Sequence, residues 1–95
     1  MAAYIIADVT VTDPEKMAEY RQWSTRAMQE HGAEILGRGG EWEVLEGPWR
    51  PSRLVILKFE SREAARRFYT SETYTHARRV REGAGVMRLV VVDGV

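Results

Sequence analysis

Ala3-Tyr4-Ile5-Ile6-Ala7-Asp8-Val9-Thr10-Val11 is the stretch on which the fold turns. Successive side chains of an extended segment point to opposite faces, so Tyr4 and Ile6 share one face while Ile5, Ala7, Val9 and Val11 share the other. Both faces are apolar, and the alternation that marks a strand with one wet side is missing. Val86 to Val92, near the other end of the chain, repeats the pattern. A chain of 95 residues makes a single domain, residues 1–95, and has too little mass to bury two sheet faces alone. The two segments therefore predict a sheet covered on one side by its own helices and on the other by a second copy of the chain, with Val9, Val11, Val90 and Val92 at that contact.

Between these strands the elements follow from local chemistry. Thr12-Asp13-Pro14-Glu15 is a helix start, with Asp13 as cap and Pro14 at the first helical position, and the helix runs to His31 before Gly32. Met17, Tyr20, Ser24, Ala27, Met28 and His31 share one face of it, with Trp23 at the border. Ala33 to Gly40 starts extended and loses its side chains at Gly37, Gly39 and Gly40, where a bulge or bend is expected; Glu41 to Glu46 alternates as a second strand segment. Gly47-Pro48-Trp49-Arg50-Pro51 is a hairpin loop, because its prolines remove donors and fix the backbone. Arg53 to Glu60 is a strand. Ser61 caps a helix over Arg62 to Tyr69, and Ser71 caps another over Glu72 to Arg81. The order suits an α+β, ferredoxin-like βαββαβ fold: a four-stranded antiparallel sheet with its helices on one face. Exposing the other face would cost about 1.5 to 3 kcal/mol per large apolar side chain, so two sheets packing face to face as a homodimer is the expected remedy.

Composition narrows the function. The formal charge is zero and there is no cysteine, which argues against nucleic-acid or anionic-membrane attraction and excludes disulfides and thiolate chemistry. No apolar run approaches the roughly 20 residues of a spanning helix, and the start shows no signal-peptide pattern, so a soluble cytoplasmic protein is expected. An RNA-recognition domain shares the element order, but the strand Leu54-Val55-Ile56-Leu57 is aliphatic where such domains stack bases on aromatic rings.

Several stretches together resemble a known family: Tyr4-Ile5-Ile6-Ala7-Asp8, Thr12-Asp13-Pro14-Glu15, Tyr20, Arg38-Gly39-Gly40, Leu45-Glu46-Gly47-Pro48-Trp49-Arg50-Pro51, Phe59-Glu60-Ser61-Arg62-Glu63-Ala64-Ala65 and Ser71-Glu72-Thr73-Tyr74. The family is domain of unknown function 1330, within the dimeric α+β barrel superfamily. The resemblance covers essentially the whole chain and implies a ferredoxin-like dimer without a settled activity. The wider superfamily includes cofactor-free oxygenases, isomerases and haem-dependent enzymes, usually with the ligand between sheet and helices.

That cleft would be enclosed by Tyr20, Ser24, Phe68, Tyr69 and Tyr74, whose rings and hydroxyls suit a small planar or acidic ligand or serve as ordinary core. Arg53 could clamp a carboxylate through its bidentate fork. His31 and His76 are the only histidines. His31 sits at a helix C-terminus, where a structural role is favoured, whereas His76, with Tyr74 and Arg79 within one turn, is a candidate general base or an exposed side chain. Asp8 lies mid-strand, a candidate catalytic carboxylate or one member of an ion pair with Arg53 or Arg88. Trp49 on a loop calls for a cover, either the dimer interface or a pocket it closes as a lid. No metal-binding spacing or cofactor motif is present, so no cofactor is expected. The reading is a small dimeric protein binding a small organic ligand in the helix-sheet cleft. Its alternatives are a cofactor-free monooxygenase or isomerase acting on a small aromatic or acidic substrate, and a non-catalytic regulatory or interaction module.

Overall fold

The computed structural model describes residues 1–95. Strand β1 (Ala3–Val11) leads into helix α1 (Pro14–Glu30), then come β2 (Glu34–Arg38), β3 (Arg53–Phe59), α2 (Arg62–Thr70), α3 (Glu72–Val80) and β4 (Gly85–Asp93). The strands form one antiparallel sheet in the order β2-β3-β1-β4, the ferredoxin-like α+β arrangement. Helix starts follow the expected chemistry. The Asp13 carboxylate accepts from the Lys16 amide at 3.2 Å, and Ser61 and Ser71 accept from the Ala64 and Tyr74 amides. Ser71 also donates to the Phe68 carbonyl at 2.7 Å, so one residue ends α2 and starts α3.

The hydrophobic core lies between the helices and one sheet face. Ile5, Ala7 and Val9 of β1 and Leu57 and Phe59 of β3 meet Met17, Tyr20 and Met28 of α1, Phe68 of α2 and Tyr74 of α3. The register sets the outer face: Tyr4 opposes Val92 and Lys58, Ile6 opposes Val90 and Ile56, and Asp8 opposes Arg88 and Leu54. Val86, Val90 and Val92 on that face are 56, 62 and 47% exposed, so the chain does not cover it.

Two expectations need correction. Val9 belongs to the helix side and is 5% exposed, because it shares the parity of Ile5 and Ala7; it is core, and the bare face is carried by Ile6, Ile56 and the even valines of β4. Val11 has the same parity as Val9 and lies at the open end of β1, opposite Gly85. Second, Glu41 to Glu46 forms no strand. The register of β2 on β3 shifts between Ile35 and Gly37, the bulge expected at the glycines, and β2 ends at Arg38. The chain then loops from Gly39 to Ser52, tied by the Trp42 indole N–H donating to the Ser52 carbonyl at 3.0 Å.

Candidate functional site

Between α1 and the sheet lies a small cavity of about 40 Å³. Room for one water needs roughly 10 to 15 Å³, so this space admits only a few non-hydrogen atoms. Most of its wall is core hydrocarbon from β1, β3 and α1. Its polar groups are Arg21 and Ser24 on α1, Arg38 at the end of β2, Arg53 at the start of β3, and the phenols of Tyr20 and Tyr74.

Each arrives there for a local reason. Tyr20 and Ser24 fall one turn apart on the buried face of α1, and Arg21 is their neighbour on the side facing β2 and β3. Arg53 opposes Val9 and so points to the helix side of the sheet. Gly39, at φ +72°, leaves space that a side chain would take from the Arg53 guanidinium. Arg38 donates to Ser24 Oγ at 3.4 Å. Arg21, Arg38 and Arg53 make no ion pair, and no carboxylate lines the cavity. Partial burial, and then the positive charge of Arg53, lower the pKa of Arg38.

At the other side of the cavity the Tyr20 and Tyr74 hydroxyls are 2.6 Å apart and buried. One guanidinium nitrogen of Arg81, Nη1, donates to Tyr20 at 3.2 Å and to Tyr74 at 3.0 Å, and lies 2.8 Å from Met87 Sδ. Burial, reinforced by Tyr74 and opposed by Arg81, pushes the Tyr20 phenol well above its ordinary range.

The expected site residues divide. Tyr20, Ser24, Arg53, Phe68 and Tyr74 do converge on the cavity. Tyr69 does not: it lines a separate, larger cleft at the β4 edge, where Arg78 lies 4.4 Å from its ring centre. His76 is exposed and packs edge-on against Trp23 at 4.4 Å, away from the phenols, so it is not positioned as their base. His31 is the C-cap of α1. Asp8 lies on the outer face, on the far side of the sheet from the cavity, and forms no ion pair with Arg53 or Arg88. Its carboxylate accepts from the Ser52 amide at 2.9 Å and from the Trp49 indole at 3.4 Å. Trp49 is thereby held against the outer face, 58% exposed, and cannot act as a lid on the cavity. Arg21, Arg38 and Arg81 are additions to the expected set. The reach of Arg81 to Tyr20, 61 positions away, is a property of the fold.

A four-stranded antiparallel sheet with three helices on one face and an apolar opposite face is a ferredoxin-like α+β architecture. The chain belongs to the family described as Domain of unknown function (DUF1330), whose model matches residues 2–95. Among solved structures it is similar to RPA0582, a protein of unknown function from Rhodopseudomonas palustris, at 18% identity over 99% of this chain and 82% of that one, with a TM-score of 0.78. It is also similar to SnoaB, a cofactor-independent oxygenase from Streptomyces nogalater, at 10% identity over 99% and 93% of the two chains, TM-score 0.66. An Arabidopsis thaliana protein matches at 12% identity over 98% and 88%, TM-score 0.69. No curated protein matches in sequence. At these identities the structural matches speak to the fold alone. No helix is long and apolar enough to cross a membrane.

Proposed function

We propose that this protein is a homodimer that binds a small organic carboxylate in the cavity between α1 and the sheet. The observation that carries the reading is the convergence of Arg21, Arg38 and Arg53 on one partly buried space with no acidic side chain in its wall. Like charges gathered without a counter-ion are unfavourable in the free protein, and an anion relieves them. The planar guanidinium matches a carboxylate bidentately, and Ser24 adds a hydroxyl at the same point. The small volume favours a short acid over an aromatic substrate. Cofactor-free oxygenation, the activity named for SnoaB, draws no support from 10% identity.

Thermal melts with propionate and with uncharged propionamide test this. Propionate is expected to raise the melting temperature in a concentration-dependent way and propionamide to leave it unchanged. Arg38→Met/Arg53→Met is expected to abolish the propionate shift while raising the stability of the free protein by about 1 kcal/mol, the usual exchange of function for stability. A propionate shift that survives both substitutions, or no shift in the parent protein, would refute the reading.

A further inference from the structure

We propose that the cleft along the open edge of β4 is a second binding site, separate from the α1 cavity, and that its ligand is an organic carboxylate with an extended apolar body. The cleft measures about 440 Å³ against about 40 Å³ for the α1 cavity, and falls within the roughly 300 to 1,000 Å³ of small-molecule sites. Its floor is the helix-side face of β4. Met87, Leu89 and Val91 oppose Val9, Ala7 and Ile5, and so point under the helices with them. The helices leave them partly uncovered, however: Met87 and Leu89 are half-buried and Val91 is 36% exposed. Sheet-on-sheet packing would cover Val86, Val90 and Val92 on the other face and leave this floor open.

The head group is indicated by charge. Arg66 and Arg81 both line the cleft, no acidic side chain does, and neither arginine makes an ion pair. Arg81 is the fixed one. Its Nη1 donates to the buried Tyr20 and Tyr74 hydroxyls and lies 2.8 Å from Met87 Sδ. Nε and Nη2, the edge of a guanidinium that takes a carboxylate side-on, have no partner in the chain. Among residues that are not exposed, the one unpartnered side-chain nitrogen sealed from solvent is Arg78 Nε, so that edge of Arg81 is open to solvent. A guanidinium already held by two phenols loses little freedom on taking an anion. Arg66, three positions before Tyr69 and on the same side of α2, adds a second positive charge at the rim. A carboxylate on Arg81 lays its hydrocarbon on Met87, Leu89 and Val91, where removing apolar surface from water adds affinity. A short acid leaves that floor wet, and an alcohol of the same length leaves the arginines without a counter-ion.

Calorimetric titration of the whole chain with octanoate and 1-octanol tests the site. Octanoate is expected to bind roughly tenfold more tightly than octanol, the difference made by a charge-assisted pair. Val91→Trp fills the cleft from an exposed position and is expected to weaken octanoate about tenfold, with the propionate response of the α1 cavity unchanged. Arg81→Lys keeps a cation for the phenols but removes the fork, and is expected to bring octanoate and octanol within about twofold of each other. Should Arg81→Lys fail to fold by circular dichroism, Arg66→Met at the exposed rim replaces it, with the preference for octanoate expected to fall about threefold. Octanol binding as tightly as octanoate, or octanoate affinity unmoved by Val91→Trp, overturns the site. So does octanoate binding that Arg38→Met/Arg53→Met abolishes, since the acid would then lie in the α1 cavity. Absence of any propionate effect refutes only the α1 reading.

Discussion

Tyr20 is kept neutral by its surroundings, chiefly burial, with Tyr74 adding to the effect and Arg81 opposing it. The sign of the resulting pH dependence follows. A phenol raised above its ordinary value of 10.0 in the folded state ionises first in the unfolded chain. Its contribution is therefore complete below pH 10 and declines as pH rises toward the folded value, at up to about 1.4 kcal/mol per pH unit. Urea unfolding at pH 9 and pH 11 is expected to show a loss of about 1.4 kcal/mol that Tyr20→Phe lacks; equal losses in both proteins would show that Tyr20 ionises alike folded and unfolded. Residues of this kind were legible in part. The helical period put Tyr20 and Ser24 on the buried face of α1, and the strand period gave Arg53 its direction once paired with β1. Arg21 was not legible, since it lies off the apolar face, and Arg38 sits at a bulged strand end where parity is reset.

At the scale of elements, the loop from Gly39 to Ser52 is where sequence and structure part. Glu41-Trp42-Glu43-Val44-Leu45-Glu46 alternates like a strand, but alternation cannot say whether a partner strand is available, and beyond Arg38 and a last bond from the Gly39 amide to the Leu54 carbonyl the chain leaves the edge of β3. The helices gave no such difficulty, because caps and period are written within a few residues, whereas strand pairing is settled by distant ones. What holds the loop is partly Asp8, whose carboxylate takes the Ser52 amide and the Trp49 indole. A side chain read as catalytic or ion-paired is thus the clasp of a loop on the opposite face. Asp8→Ala is expected to cost about 1 kcal/mol, a charged hydrogen bond discounted for its exposure. Limited proteolysis between Gly47 and Pro51 should accelerate in step, and an unchanged cleavage rate would show that other contacts carry the loop.

Across the whole molecule, β1 is apolar on both faces because it lies inside the sheet between β3 and β4, with one face under the helices and the other bare. Tyr4, Ile6, Leu54 and Ile56 are only half covered there, beside the more exposed Val86, Val90 and Val92. A contiguous apolar patch of this kind on a small domain marks an association surface. Packed sheet on sheet about a two-fold axis, Val90 and its symmetry mate would sit within the contact, so one substitution acts twice. Val90→Asp is therefore expected to convert a dimer to monomers in sedimentation equilibrium at micromolar concentration. Val90 is 62% exposed and lies outside the single-chain core, so the helical circular dichroism of the variant should persist. A parent protein that sediments as a monomer would sink the dimer while leaving the cavity and its arginines untouched, since every residue lining that space comes from one chain.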